Sequence, residues 1–441
     1  PELATYRHYI LDVIRAKAHI LDAKGEAILS QVAKITGTAS DTYDMFTDVE
    51  MEIPKIENEN GEMVELTSGN FGMYRESSCR KVRENAFNTM FGTYKKYKNT
   101  FATLYTGNVK KDNMLAAIRG YDSACEAALF AGNVPVSVYD SLVGGVHEAL
   151  PTMQKYLELR KKVLHLPELD VFDLYCPMTA DVEYPMPFAS GKELVKKALA
   201  PLGEEYAALL DRAFSENWID VYETPGKASG AYSMGIYGAH PYVLLNYTDT
   251  LDDAFTLAHE LGHSMHSHYS NTTQDYVNHD YKIMVAEVAS TVNEVLLTKY
   301  LLATETDPAR RAYVLNHFLE GFRTTVFRQT LFAEFERKAH ELESAGTPLT
   351  ADCLNGIYAE LEKTYYSAAK MQDVVAVEWS YIPHFYRAFY VYQYATGFSA
   401  AVAIASHILE TGDTAGYLRF LTTGGSDYPL EELKLAGIDL T

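Results

Sequence analysis

The five residues His259-Glu260-Leu261-Gly262-His263 could carry the chemistry of a metal-dependent hydrolase. Residues four apart on a helix lie on the same face, so His259 and His263 can offer two imidazole nitrogens to one metal ion. Glu260 projects beside them, where its carboxylate could take a proton from a water molecule on that metal. The motif arises by chance in roughly a few per cent of chains this rich in His and Glu, so it needs supporting residues elsewhere.

A third ligand must come from another part of the chain, because a catalytic zinc site takes three protein ligands and leaves one position open. No glutamate occurs between residues 264 and 286, and the next one is Glu287, inside a helical pattern. A helix returning antiparallel after a loop over residues 271–280 would place Glu287 opposite the two histidines. The competing candidates for this position are His266, His268, Asp275, His279 and Asp280.

Glu294 lies seven residues after Glu287 and therefore on nearly the same helical face. This position suits a carboxylate that accepts a hydrogen bond from a ligating histidine. A solvated surface glutamate fits the same spacing, and the sequence leaves both interpretations open.

A second group of candidates lies in residues 384–394, the densest polar and aromatic run in a chain with 33 tyrosines. Tyr390 and Tyr394 are four residues apart and would share a helix face. A tyrosine hydroxyl is a neutral donor that could stabilise the oxyanion of a tetrahedral intermediate. A buried aromatic seam is the alternative for each single tyrosine, whereas the interleaved His384 and Gln393 favour a site for the cluster.

Helices must position most of these residues. Apolar residues recur at helical spacing over residues 3–34, and an apolar stripe accompanies the histidine motif in an element that begins near Thr250. The uncharged run 388–409 is long enough to span a membrane. Its many tyrosine, serine, threonine and histidine residues favour instead a helix buried in a water-soluble protein.

Short β elements are predicted at two places. Asn60-Gly61 is a strong turn signal and predicts a β-hairpin near residues 51–67. Residues 241–247 predict a strand before the histidine helix, where an extended substrate could pair by its backbone, with Tyr242 and Leu244 as contacts. The predicted fold class is mainly α with minor β. A proline-rich stretch after residue 165 predicts a boundary between a helical upper lobe, 1–165, and a lobe carrying the metal motif, 166–441.

Composition limits the partners. The net charge of −21, from 59 acidic and 38 basic residues, argues against nucleic-acid binding. It fits a solubilising acidic surface, or an acidic channel that favours basic peptides. The chain begins at Pro1 without a signal peptide, which suggests a truncated or processed product. Four widely spaced cysteines predict reduced thiols in a cytoplasmic protein: Cys79, Cys125, Cys176 and Cys353.

Several blocks of the chain together resemble oligoendopeptidase F, a branch of the thimet-oligopeptidase-like zinc metallopeptidases. The most specific blocks are residues 242–247, 255–266 and 285–290, and the similarity is strengthened by residues 323–330, 390–394 and 424–428. The resemblance covers essentially the whole chain. It implies a bi-lobed helical body with a deep central channel that admits short peptides and excludes folded proteins.

The resemblance also implies roles for individual residues. His259, His263 and Glu287 would hold one Zn²⁺, with Glu260 as the base. His384, Tyr390 and Tyr394 would contact the substrate or its oxyanion. The remaining implied substrate contacts are Gly424 and Gly425, whose turn would approach the substrate backbone, and Tyr428.

The predicted function is a cytoplasmic zinc endopeptidase of short oligopeptides, a monomer or weak homo-oligomer without nucleic-acid or membrane partners. One alternative is a metallocarboxypeptidase with the same catalytic set, which would need a cationic residue in the cleft to hold the terminal carboxylate. The other is a catalytically silent peptide-binding protein, which would have no need of Glu260.

The sequence departs from its apparent relatives in two respects. Members of this branch carry a further N-terminal helical segment that is absent here, so the upper wall of the channel is expected to be incomplete. In related thimet-type enzymes a further tyrosine falls where Gly397 stands here, which leaves the oxyanion donor open between Tyr390 and Tyr394.

Overall fold

Helices make up most of the chain in the computed structural model, which describes residues 3–179 and 182–441. This confirms the mainly α fold class. The α-helices are α1 (Arg7–Ala16), α2 (Ala23–Thr36), α3 (Thr38–Met45), α4 (Phe71–Arg75), α5 (Arg80–Lys96), α6 (Lys98–Ile118), α7 (Ala124–Phe130), α8 (Val136–Val163), α9 (Phe188–Ala198), α10 (Glu204–Ser215), α11 (Leu251–Thr273), α12 (Ile283–Thr304), α13 (Pro308–Gly321), α14 (Arg328–Ser344), α15 (Ala351–Tyr365), α16 (Tyr392–Thr411), α17 (Ala415–Leu421) and α18 (Pro429–Leu435). Two π-helical segments, Phe46–Glu50 and Phe322–Phe327, and several short 3₁₀ turns join them.

The first predicted helix, over residues 3–34, is divided in two by a new helix start. Asp22 caps α2 by accepting a hydrogen bond from the backbone N–H of Gly25 at 2.7 Å. Glu26 in turn accepts from the backbone N–H of Leu21 at 2.9 Å. These bonds satisfy donors that a continuous helix would have satisfied internally, so the apolar periodicity continues across a break in the backbone.

Within residues 3–179 and 182–441, five short strands form two sheets. β1 (Ile56–Glu57) pairs antiparallel with β2 (Met63–Val64), and Gly61 has a positive φ of 80° in the turn between them. This confirms the predicted hairpin. The second sheet has the order β3 (Ile219–Asp220), β5 (Tyr242–Leu244), β4 (Tyr232–Met234) and directly precedes α11, as predicted.

Two apolar cores organise the helices. The first core is built mainly from residues of 43–174 and 326–395, and the second mainly from residues of 186–314 and 400–436. The division into 1–165 and 166–441 stays a prediction, and the first core takes helices from both sides of that boundary. The segment 388–409 contributes α16, whose Ala400 and Ala401 are buried in the second core. None of the described helices combines the length and apolarity needed to cross a bilayer.

Candidate active site

The histidine motif lies on α11, whose start is fixed by a reciprocal cap. The side chain of Thr250 accepts a hydrogen bond from the backbone N–H of Asp253 at 3.2 Å, and Asp253 accepts from the backbone N–H of Thr250 at 2.9 Å. The negative charge of Asp253 also suits the positive end of the helix dipole. The cap sets where the helix begins, and therefore which face of it carries His259 and His263.

Helix α12 packs directly on α11 because a glycine stands at their closest approach. A Cβ at Gly262 would lie 2.5 Å from the Cα of Ser290, so a larger residue would hold the two helices apart. Beside this contact, the side-chain amide of Asn293 donates to the carbonyl oxygen of Ala258 at 3.0 Å. The arrangement brings Glu287, one turn before Ser290, opposite the two histidines.

The three candidate ligand atoms form a nearly regular triangle. His259 Nε2 and His263 Nε2 are 3.2 Å apart, and Glu287 Oε2 is 3.4 Å and 3.6 Å from them, respectively. Three ligands of a tetrahedral zinc ion, each about 2.0–2.1 Å from the metal, would be about 3.3 Å apart. In the described part of the chain this is the single cluster with the residue types and spacing to hold a metal ion. These side chains fit zinc in both chemistry and size.

The charges around the triangle also suit a cation. His259 Nδ1 lies 2.5 Å from Glu294 Oε1, which directs its Nε2 toward the triangle. Burial opposes a charge on this imidazole, but Glu287 and Glu294 raise the pKa of His259 to about 10. Burial and the neighbouring His259 lower the pKa of His263 to about 4. The carboxylates of Glu287 and Glu294 thus stabilise one positive charge in the site, and they would stabilise a bound divalent cation in the same way.

Glu260 stands beside the triangle as a buried carboxylate. Its side chain is 6% exposed, and its Oε2 has no hydrogen-bond partner in the structure. Burial, followed by the charges of Glu287 and Glu294, raises the pKa of Glu260 to about 7, although His259 opposes this. A carboxyl group with such a pKa can both accept and return a proton near neutral pH.

His384, Tyr390 and Tyr394 lie together, and Tyr394 also lines a cavity shared with His259 and Glu287. The ring of Tyr394 is 5.4 Å from that of Tyr390 and 6.1 Å from that of His384. Burial raises the pKa of Tyr394 above its ordinary value, as does Tyr390, so this hydroxyl keeps its proton. The predicted shared helix face is wrong, because α16 begins only at Tyr392 and Tyr390 precedes it.

The competing ligand candidates lie outside the triangle. His266 is fully buried with its ring stacked 3.7 Å from that of Tyr281. Asp275 accepts a hydrogen bond from the hydroxyl of Thr5 at 2.9 Å. The others are likewise held elsewhere: His268 near Trp218, His279 against Tyr237, and Asp280 beside Gly425. Glu287 is therefore the acid that the fold brings to the two histidines.

The strand Tyr242–Leu244 is hydrogen-bonded along both edges, because β5 lies between β3 and β4 in its sheet. The outer strands of this sheet are β3 and β4, and β4, Tyr232–Met234, is the one that contacts the histidine helix, through Ser233 and Ser264. A substrate can therefore not pair with the backbone of Tyr242 and Leu244 as expected. Their side chains share a sheet face with those of β4, since Leu244 is opposite Tyr232 and Tyr242 is opposite Met234. Substrate contact by these side chains stays a prediction.

The glycine turn near the C-terminus packs against the loop between α11 and α12. The backbone N–H of Gly425 donates to the carbonyl oxygen of Asn278 at 2.7 Å, and a Cβ at Gly424 would collide with that oxygen. The hydroxyl of Tyr428 accepts from Arg15 Nε at 3.1 Å. These contacts are internal to the protein, and the predicted contacts of Gly424, Gly425 and Tyr428 with a substrate stay predictions.

A cavity of about 410 Å³ adjoins the triangle, and some of the residues that line it had no role predicted from the sequence. Thr324 and Thr325 line it from the π-helical segment Phe322–Phe327, together with His259, Glu287 and Tyr394. A π-helical turn shifts the face that follows it and is frequent at functional sites. Residues 323–330 contributed to the family resemblance, and nothing else in the sequence indicated that they lie at the site.

Ser233 of β4 is a third residue near the site for which the sequence predicted no role. Ser264 donates its hydroxyl hydrogen to the carbonyl oxygen of Glu260 at 2.9 Å, so the 2.8 Å contact between the two hydroxyls has Ser233 as donor. The bond fastens the free-edge strand to the helix that carries the metal motif. A three-residue strand has too little periodicity to be recognised in the sequence.

Known proteins resemble this chain along its whole length. The family model described as "Peptidase family M3" matches residues 73–441, and the model described as "Oligopeptidase F" matches residues 1–53. Oligopeptidase PepF of Bacillus subtilis (strain 168) is 46% identical over 443 residues, covering 100% of this chain and 66% of that protein. An oligoendopeptidase F homolog of Lactococcus lactis subsp. lactis (strain IL1403) is 44% identical over 442 residues, with coverages of 100% and 73%. The chain therefore spans about two thirds to three quarters of the length of these relatives.

The solved structure of oligoendopeptidase-F from Enterococcus faecium has the same fold. It superposes with a TM-score of 0.83 at 40% sequence identity, covering 100% of this chain and 74% of that one.

Proposed function

The chain belongs to peptidase family M3, and from this premise we propose that it hydrolyses internal bonds of short peptides with a zinc ion held by His259, His263 and Glu287. The family match and the relatives' names confirm the predicted oligoendopeptidase F resemblance and the prediction of a peptide hydrolase. They do not favour the carboxypeptidase or the silent binding protein. The choice of metal and the role of each residue belong to the proposal.

The observation that carries the proposal is the triangle of three ligand atoms with Glu260 beside it. A zinc ion bound there would act as a Lewis acid toward the attacking water and the scissile carbonyl. Glu260 would take a proton from the attacking water and later give it to the departing amine nitrogen. Glu294 holds the imidazole of His259 in the required orientation throughout.

The hydroxyl groups of Tyr390 and Tyr394 support oxyanion stabilisation. Tyr394 lines the same cavity as His259 and Glu287, and the ring of Tyr390 is its neighbour. A protonated phenol can donate to a carbonyl oxygen as negative charge develops there, without taking a charge of its own. His384, next to both rings, supplies a further donor or acceptor for the substrate.

The free edge of β4 supports binding of an extended peptide. Its backbone could pair with a substrate strand, because within the described residues β4 is paired with another strand only on its β5 side. Ser233 ties the strand to α11, so a peptide paired here would run past the metal motif. The exposed side chains of Tyr232 and Met234 offer apolar contacts beside this edge.

The proposal includes partners and location. Short peptides are the substrates, and neither nucleic acid nor membrane is a partner. We further propose a monomer or weak homo-oligomer in the cytoplasm. The four cysteines support a reducing compartment, since each is a free thiol.

The test compares the native chain with Glu260→Gln on a peptide blocked at both ends and internally quenched. Zinc content is measured for both proteins, and Glu158→Gln, at an exposed glutamate of α8, is the matched control. We expect one zinc per chain in all three proteins and a turnover about 10²–10⁴-fold lower only in Glu260→Gln. Mass spectrometry of the products should show internal cleavage. Stepwise release of single residues would instead reveal a carboxypeptidase, and unchanged turnover would exclude Glu260 as the base.

A further inference from the structure

Phe389, the residue directly before Tyr390, has a backbone conformation that bulky side chains rarely adopt. Its φ is +55°, in the left-handed region that favours glycine. A residue with a Cβ stays there only when its surroundings hold it. Whatever holds Phe389 also decides where the next residue, Tyr390, projects.

The restraint on Phe389 comes from a glutamate on another helix. The backbone N–H of Phe389 donates to Oε1 of Glu336, on α14, at 2.8 Å. Glu336 is fully buried, and its other carboxyl oxygen has no hydrogen-bond partner in the structure. The carboxyl group is thus devoted to one backbone N–H, 53 residues later in the chain.

Side-chain packing buries the ring of Phe389 in the first core, where the residue is 2% exposed. Its ring lies 4.8 Å from that of His340 and 5.9 Å from that of Tyr139. On another side it borders a cavity of about 370 Å³, also lined by Cys125 and Arg337. These contacts hold the ring, whereas the hydrogen bond to Glu336 is the directional contact that the backbone N–H of Phe389 itself makes.

The buried carboxyl group can serve this role without a charge. Burial raises the pKa of Glu336 well above its ordinary value, and the charge of Asp112 adds to the effect. In the protonated form, Oε1 acts as a carbonyl acceptor toward the N–H of Phe389. A glutamine amide offers the same acceptor at the same distance.

We propose that Glu336 is a positioning residue for peptide hydrolysis: by holding Phe389 in its left-handed conformation, it sets the place of the Tyr390 ring beside Tyr394 and the metal triangle. The proposal rests on the proposed function, in which Tyr390 contacts the substrate or its oxyanion. Glu336 itself touches neither the ligand triangle nor the cavity beside it.

Three substitutions separate the acceptor from other properties of the side chain. Glu336→Gln keeps the acceptor, its reach and a neutral group. Glu336→Asp keeps the acid but withdraws it by one methylene, and Glu336→Met keeps the volume without an acceptor. We expect Gln to retain kcat within about twofold, and Asp and Met to lower kcat about tenfold, the loss expected from one well-placed hydrogen bond. Zinc content should change little, because the metal ligands lie on other helices. KM should change less than kcat, because an oxyanion forms only after the substrate has bound.

A double-substitution cycle distinguishes positioning from general destabilisation. In a Tyr390→Phe background, Glu336→Met should cost less than about twofold, since the hydroxyl that it positions is already gone. An activity-independent readout is the ¹⁹F resonance of 3-fluorotyrosine at residue 390, which should shift or broaden in the Met and Asp variants and stay unchanged in Gln. This resonance tests the positioning even if the wild-type protein cleaves no peptide, an outcome that would refute the proposed function alone. Equal losses in both backgrounds, a Gln variant as impaired as Met, or an unmoved resonance in Met and Asp would overturn the role of Glu336.

Discussion

Replacing Gly262 by Ala is expected to separate α11 from α12 and so to open the metal site. The added Cβ would lie 2.5 Å from the Cα of Ser290 and 2.7 Å from the carbonyl oxygen of Ala289. Ordinary contacts begin near 3.4 Å. Both opposing atoms are backbone, so no side chain can turn away, and the helices must move apart locally by about 1 Å.

A displacement of this size should cost little folding free energy but change the distances between the metal ligands considerably. Overpacking of this kind costs about 1–3 kcal/mol of folding free energy, which a protein of this size can tolerate. Glu287 moves with α12, and its distances of 3.4 Å and 3.6 Å to the two imidazoles would lengthen by a similar amount. Metal–ligand distances tolerate only about 0.2 Å. We therefore expect zinc affinity to fall at least about 100-fold, with turnover lost at limiting zinc.

The assay is competition for zinc with a chromophoric chelator, together with urea unfolding of the metal-free proteins. The matched control is Gly356→Ala on α15, where the added Cβ meets no atom within 4 Å. That variant should keep full zinc affinity and gain up to about 1 kcal/mol of stability from helix propensity. If Gly262→Ala binds zinc as tightly as the native chain, the close approach of α11 and α12 does not set the ligand geometry.

Three further predictions follow from the site and its surroundings. Glu294→Ala should lower zinc affinity about 10–100-fold by chelator competition, because His259 loses its orienting acceptor, whereas unchanged affinity would show that packing orients the ring. Burial and then Asp427 raise the pKa of Glu432 to about 8, so the free energy of unfolding is highest below pH 4.5, where this group is protonated in both states, and falls as the pH rises toward 8. Urea unfolding should therefore show Glu432→Gln more stable than wild type by roughly 2–5 kcal/mol at pH 8.5 and by less at pH 5. A stability difference that does not depend on pH would contradict this. Tyr390→Phe and Tyr394→Phe should differ in kcat, with the oxyanion donor losing about 10²-fold or more at unchanged KM, and losses below about twofold in both would exclude a tyrosine donor.

The candidate metal-ligand cluster could be predicted because the residues that form it lie close together in the sequence. Two histidines at helical spacing define a face, and the next glutamate in the chain stands on the helix that returns beside it. A helical hairpin of this length leaves few geometries, so the sequence favoured Glu287 as the third ligand over its five competitors. It put Glu294 on nearly the same helical face and left open whether that carboxylate orients a histidine or is solvated. The assignment of His384, Tyr390 and Tyr394 came from resemblance, because no local rule relates them to the motif.

Contacts between residues far apart in the chain could not be predicted from the sequence. The expected backbone pairing of a substrate with β5 was wrong because three-residue strands carry no signal of which one is central. The start of α16 was set too early because nothing in the residue type of Phe389 indicates a left-handed backbone. Glu336 was missed for the same reason, since a glutamate in a helical pattern is ordinarily solvated and its burial depends on an N–H 53 residues away.

The interleaving of the two cores affects how the protein is made. Helices from residues 43–174 emerge from the ribosome long before residues 326–395, with which they share the first core. At translation rates of about 5–20 residues per second, this delay lasts on the order of 10–50 s. During it, the early helices expose apolar faces whose final partners do not yet exist. The nascent chain should therefore depend on chaperones over this interval, and folding should be complete only after residues 384–394 have been synthesised.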